Sequence, residues 1–140
     1  MSIEKLMTKN VVTLQADASV YDAVKLMNKN EIGCLIIVSN GHIVGILTER
    51  DLLKRVLEKC KNPKETKVSE VMTKHVVTGR TDMELDEATR VMFRRRIKKL
   101  PIVDGSELVG IVTITDIARA TSVDKQTVEL IQKLSNLHVL

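Results

Sequence analysis

The chain has 140 residues, 22 Lys plus Arg against 18 Asp plus Glu, 44% hydrophobic residues and 1% aromatic residues. That length buries one sizeable core or two small ones packed together, and the apolar content with its evenly mixed charge excludes intrinsic disorder. Two cysteines, Cys34 and Cys60, exclude a disulfide framework or a cysteine-rich metal scaffold and make a reducing, cytoplasmic setting the default.

The longest apolar run, Cys34 to Val38, is far shorter than the roughly 20 residues of a membrane-spanning helix, and the N-terminus lacks the apolar region of a signal peptide. A soluble protein is expected. Its net charge of +4 favours anionic partners in general.

In chain order, Val11 to Leu14 reads as a short strand, and Asp17 is placed to cap a helix whose apolar positions Val20, Ala23, Val24 and Met27 recur at i, i+3, i+4 and i+7. Cys34 to Val38 is a buried strand, Asn40-Gly41 a hairpin turn and His42 to Leu47 the return strand. From Thr48 a second helix is expected, with Leu52, Leu53 and Val56 buried, fading into a polar linker.

The same order then repeats. Leu6 to Thr13 returns as Val71 to Thr78, a shift of 72 − 7 = 65 residues measured at the Met, and this shift superposes Asp17 on Asp82, Met27 on Met92 and Val44-Gly45-Ile46 on Val109-Gly110-Ile111. Copy two places Asp82, Leu85, Ala88 and Met92 in its first helix, a hairpin over Leu100 to Val103 and Glu107 to Val112, and Ile117 in its last helix. The expected class is α+β, built from two β-α-β-β-α repeats at 1–60 and 71–121 with a linker at 61–70. The remainder, 122–140, reads as a helical tail with the stripe Val128, Ile131 and Leu134. It either folds back on its own core or makes a dimer contact.

Each copy ends its hairpin in Thr-x-x-Asp, Thr48 with Asp51 and Thr113 with Asp116. At a strand-to-helix junction this puts a hydroxyl and a carboxylate beside the first helical turn, where free N–H groups gather. The carboxylate suits two vicinal ribose hydroxyls, as an acidic residue does in dinucleotide-binding folds. The same four residues also fit a capping box, and the two roles can coexist.

The Met-Thr opening of each copy, Leu100 to Asp104 (Leu-Pro-Ile-Val-Asp), and the segments Gly-Ile-Leu-Thr-Glu-Arg-Asp and Gly-Ile-Val-Thr-Ile-Thr-Asp together resemble a tandem pair of cystathionine β-synthase (CBS) domains. This regulatory module is also found in the γ subunit of AMP-activated protein kinase and in inosine monophosphate dehydrogenase. The resemblance implies two modules packed through their sheets about a pseudo-twofold axis, with clefts for AMP, ADP, ATP or S-adenosylmethionine. It also implies a homodimer, with a further effector protein open as a partner. It gives Asp51 and Asp116 the ribose role, with Thr48 and Thr113 beside them. It places Thr8, Val12, Ile32 and Gly33 around one adenosine, and Thr73, Val77, Ile97 and Lys98 around the other. Gly33 has independent content, because a glycine entering a strand permits close backbone approach; for Val12, Val77, Ile32 and Ile97 a plain core role is the alternative.

Arg94 to Lys99 carries five positive charges in six positions, where copy one has Lys29 to Cys34. Cations are mildly favourable at a helix C-terminus, but each like pair costs on the order of 1 kcal/mol at 4 Å in water, so an anionic partner would relieve the crowding. Family members that bind nucleotide phosphates often carry His or Arg at the positions of Lys98 and Lys99. AMP, ADP or ATP is therefore expected in preference to S-adenosylmethionine, with no cofactor required. Nucleic-acid binding through the same run is the competing reading, and a chain with Tyr21 and Phe93 as its aromatics offers no stacking platform for it. The histidines and cysteines show no metal-ligand spacing, and no P-loop or dinucleotide glycine pattern is present. No metal and no enzymatic activity are expected; ATP would be sensed and not hydrolysed.

Overall fold

Two apolar clusters form, one around each hairpin, and they divide the chain into compact units, Val12–Val76 and Met1–Val11 with Val77–Leu140. The structure, a computed structural model, describes residues 1–121 together with Gln126, Glu129, Leu130 and Lys133. The tail expected over 122–140, with its stripe Val128, Ile131 and Leu134, otherwise lies outside the described residues.

In the unit Val12–Val76, β1 (Thr13–Gln15) runs parallel to β2 (Cys34–Ser39), which pairs antiparallel with β3 (His42–Thr48). Between β1 and β2 lies α1 (Val20–Asn30), with Val20, Ala23 and Met27 buried at helical spacing. Its cap is Ser19, whose hydroxyl accepts from the Asp22 N–H at 3.0 Å. Asp17, the expected cap, stands two residues too early, since a cap must adjoin the first helical residue. The Asn40-Gly41 turn takes φ of 53° and 79°, the two left-handed positions that a type I′ hairpin requires.

After β3, α2 (Glu49–Leu52) continues into a π-helical turn, Leu53–Leu57. Leu52 and Val56, four residues apart, face the core, while Leu53 is a third of a turn further round and 59% exposed. The expected buried stripe therefore loses Leu53. The segment expected as a linker, 61–70, packs on the start of α1. Val20 N–H donates to Thr66 O at 2.8 Å, Tyr21 N–H to Pro63 O at 3.0 Å and Val68 N–H to Ala18 O at 2.9 Å. Lys64 Nζ lies 5.0 Å over the Tyr21 ring, and Thr66 and Val68 are buried. The short α3 (Val68–Val71) completes this core.

The other unit repeats the design. β4 (Gly79–Arg80) is parallel to β5 (Lys99–Asp104), which is antiparallel to β6 (Glu107–Thr113). α4 (Leu85–Arg95) buries Ala88 and Met92, and α5 (Ile114–Ala120) follows β6. Glu84 occupies the N-cap position of α4, while Asp82 is engaged by Arg80 at 3.1 Å. Both hairpins slip register at one place, leaving Val44 and Val109 as the extra residues of a bulge beside Gly45 and Gly110.

Those two glycines explain why the units do not follow the repeat boundaries. Thr73 forms an antiparallel bridge with Ile46 on β3, with both N–H···O distances 2.8 Å, and Thr8 does the same with Ile111 on β6, at 2.9 and 3.0 Å. Each Met-Thr opening therefore completes the unit built from the other repeat. A Cβ at position 45 would stand 2.9 Å from the Thr73 carbonyl oxygen, and one at 110 would stand 3.1 Å from that of Thr8. Only glycine lets the passing backbone come this close.

Gly45→Ala should lower unfolding free energy by about 1–3 kcal/mol, the cost of overpacking, measured by urea denaturation. Gly110→Ala should cost less: a methionine side chain is nearest at both positions, but the rigid carbonyl oxygen stands 3.1 Å from a Cβ at 110 against 2.9 Å at 45, and Met72 is buried in its core. Equal stability of Gly45→Ala and the parent would contradict this close approach.

Candidate functional site

The strand-to-helix junction after β3 is built by Thr48, which ends the strand in extended conformation and caps α2. Thr48 Oγ1 accepts from Asp51 N–H at 3.1 Å, and Thr48 N–H donates back to Asp51 Oδ2 at 3.0 Å. This is the reciprocal capping box, and Asp51 is 7% exposed within it. Thr113 and Asp116 repeat it at the start of α5, with bonds of 3.1 and 2.9 Å. Both Thr-x-x-Asp pairs thus have the geometry read from the sequence.

The N–H groups beside them are less available than expected. Glu49 N–H donates to Gly33 O and Ile114 N–H to Lys98 O, each at 3.0 Å, while the Asp N–H groups are spent on the Thr hydroxyls. Two of the first three donors of each helix are therefore satisfied internally. What each junction offers a ligand is a positioned carboxylate, not an anion-binding helix end.

The remaining expected residues separate by unit. Val12, Ile32, Gly33, Thr48 and Asp51 lie in Val12–Val76, and Val77, Ile97, Lys98, Lys99, Thr113 and Asp116 lie in the other. Val12 and Ile32 pack on one apolar cluster and Val77 and Ile97 on the other, in keeping with a core role. Gly33 supplies its carbonyl to α2, and at Gly45 and Gly110 a passing backbone comes close. Lys98 does the same for α5 through its carbonyl, and Lys99 pairs with Thr113 on the sheet, so both lysines adjoin the second Thr-x-x-Asp.

Thr8 and Thr73 exchange places relative to the sequence reading. Thr73, not Thr8, accompanies Asp51: its hydroxyl donates to Oδ1 at 3.0 Å and lies 3.3 Å from Oδ2. Thr8 lies in the unit of Asp116. One participant was missed altogether. Arg55 Nη1 donates to Val71 O at 3.1 Å and Met72 O at 3.0 Å and lies 3.7 Å from Asp51 Oδ1. Its i+4 spacing from Asp51 was the available signal.

The family model of the CBS domain matches residues 3–58 and again 68–122. The chain belongs to the CBS domain family. The CBS domain-containing protein YhcV of Bacillus subtilis is 36% identical over 117 residues, covering 84% of this chain and 83% of the relative. A CBS-domain protein from Burkholderia ambifaria has a similar structure, with a TM-score of 0.78 and 31% identity over 90% of this chain and 97% of the other. The CBS domain pair of protein MJ0100, solved in complex with 5′-methylthioadenosine and S-adenosyl-L-methionine, has a TM-score of 0.74 and 30% identity, covering 86% and 95% of the two chains. No helix among the described residues is long and apolar enough to cross a membrane.

Thr73→Val removes a hydrogen bond to a buried carboxylate and should destabilise the fold by about 1.5–3 kcal/mol. Thr8→Val, which removes no such bond, should stay within about 0.5 kcal/mol of the parent. Parallel thermal and urea melts of the two variants check the difference.

Proposed function

We propose that this CBS pair is a regulatory module that binds adenosine-containing ligands, with AMP, ADP or ATP as its preferred class, and that it performs no chemistry on them. The observation that carries the reading is the duplicated Thr-x-x-Asp junction, each with a held carboxylate at the end of its hairpin. A carboxylate accepts hydrogen bonds from both hydroxyls of a ribose. The adenosyl ligands of the MJ0100 pair support the same class. Preference for phosphate-bearing members rests on Lys98 and Lys99 beside Thr113, where the other junction has Gly33 and Cys34.

Regulation follows if the ligand has different affinities for two arrangements of the pair, which a second copy of the chain or an effector protein then reads. In this reading the protein works in the cytoplasm as a homodimer and responds to the cell's energy state.

Titration calorimetry with AMP, ADP, ATP, S-adenosylmethionine and 5′-methylthioadenosine tests the proposal. The phosphate-bearing ligands should bind, and the Lys98→Ala/Lys99→Ala variant should bind them about tenfold more weakly while leaving 5′-methylthioadenosine unchanged. An equal loss for both kinds of ligand would remove the phosphate role. No heat with any of the five at millimolar concentration would remove the reading as a whole.

A further inference from the structure

The two junctions share one sequence pattern but differ in how far each carboxylate is already engaged. Asp51 receives the Thr48 N–H on Oδ2 and the Thr73 hydroxyl within 3.0 and 3.3 Å of its two oxygens, and it forms an ion pair with the Arg55 guanidinium 3.7 Å from Oδ1. Asp116 receives the Thr113 N–H on Oδ2; among the described residues, its Oδ1 is approached only by Arg119 Nη1, at 4.0 Å. Thr8, which matches Thr73 in the repeat, bridges Ile111 through its backbone alone, and among the described residues its hydroxyl makes no bond to Asp116. The Asp116 side chain is also the more exposed, 16% against 10%.

A vicinal diol needs carboxylate lone pairs that no internal donor holds. We infer that the two sites are unequal: Asp116 receives a ribose as it stands, whereas Asp51 is closed by an internal lock made of Thr73 and Arg55. This inference rests on the adenosyl-ligand reading and adds an order of filling to it. A ligand at Asp51 competes with the Thr73 hydroxyl for the carboxylate's acceptor positions, so this site fills second and at higher concentration. The displacement also has a mechanical consequence. Thr73 sits on the bridge to Ile46, and Arg55 grips the carbonyls of the two residues before it. Filling the Asp51 site therefore loosens the hold on residues 71–73, while filling the Asp116 site leaves that segment in place.

Native mass spectrometry and calorimetry with ADP, and with uncharged adenosine to remove the influence of the lysines, provide the test. The parent protein should show one tight site and a second at least about tenfold weaker or beyond measurement. Asp116→Asn should abolish the tight site. Arg55→Gln and Thr73→Val should each strengthen the second site about tenfold without altering the first. Ligand should also recover much of the thermal stability that Thr73→Val loses, because the ribose hydroxyls then supply the missing donors. If Thr73→Val does not fold, Arg55→Gln, whose side chain is half exposed, carries the test. Two equal sites in the parent, loss of the tight site in Asp51→Asn instead of Asp116→Asn, or an unchanged second site in the folded lock variants would overturn the inference and leave the adenosyl reading standing. No binding of either probe, or of any ligand in the preceding series, would overturn both.

Discussion

The closeness of two backbones at Gly45 and Gly110 governs much of this structure. Without a side chain at these positions, the Met72–Thr73 and Met7–Thr8 segments lie directly on β3 and β6 and bond to Ile46 and Ile111. The bulges at Val44 and Val109 precede the glycines and turn the strands at the same places. From this approach follow the burial of Met72 against one core and the packing of Met7 against the other. It also brings the Thr73 hydroxyl within reach of Asp51. A sequence repeat here is not a folding unit, because each lends its opening to the other's core.

In the proposed function, each junction uses one set of residues for both helix capping and recognition. A capping box uses one lone pair of a carboxylate oxygen and leaves others for a ligand. Its second half, the Thr hydroxyl receiving the Asp N–H, removes that N–H from any role with an anion. Under the proposed function, recognition at such a site is acceptor-led: the carboxylate would accept from sugar hydroxyls, and a phosphate would have to find its positive charge elsewhere. Cap and ligand contact are compatible as long as no further donor occupies the carboxylate.

Local pattern made most of the elements legible. The helical spacing of Val20, Ala23 and Met27, the Asn40-Gly41 turn and the shift from Met7 to Met72 each depend on residues near one another or on simple repetition. The failures came where a distant partner decides. Residues 61–70 look polar and solvated, yet Thr66 and Val68 are buried because the start of α1 uses their backbone groups. Nothing local in the sequence marks that Thr8 and Thr73 each join the other copy's strand. The close approach at Gly45 and Gly110 lies inside the strands, where a glycine looks merely unfavourable. Arg55 was overlooked among the cations of a surface helix, although its nitrogen ties two carbonyls of a segment 16 and 17 residues away.

The basic run at Arg94 to Lys99 changes meaning once its residues are placed. Arg94 and Arg95 lie in the last turn of α4, and Arg96 is its left-handed C-cap, with φ of 53°. All three are exposed, in positions where positive charge complements the carbonyl end of a helix. Lys98 and Lys99 are half-buried, and the chain has already turned into β5 by Lys99. One stretch of sequence thus divides into a helix end that explains three charges and a strand entrance that holds two beside Thr113. Helix capping is sufficient for the arginines, so in the proposed function only those two lysines are left to meet a phosphate.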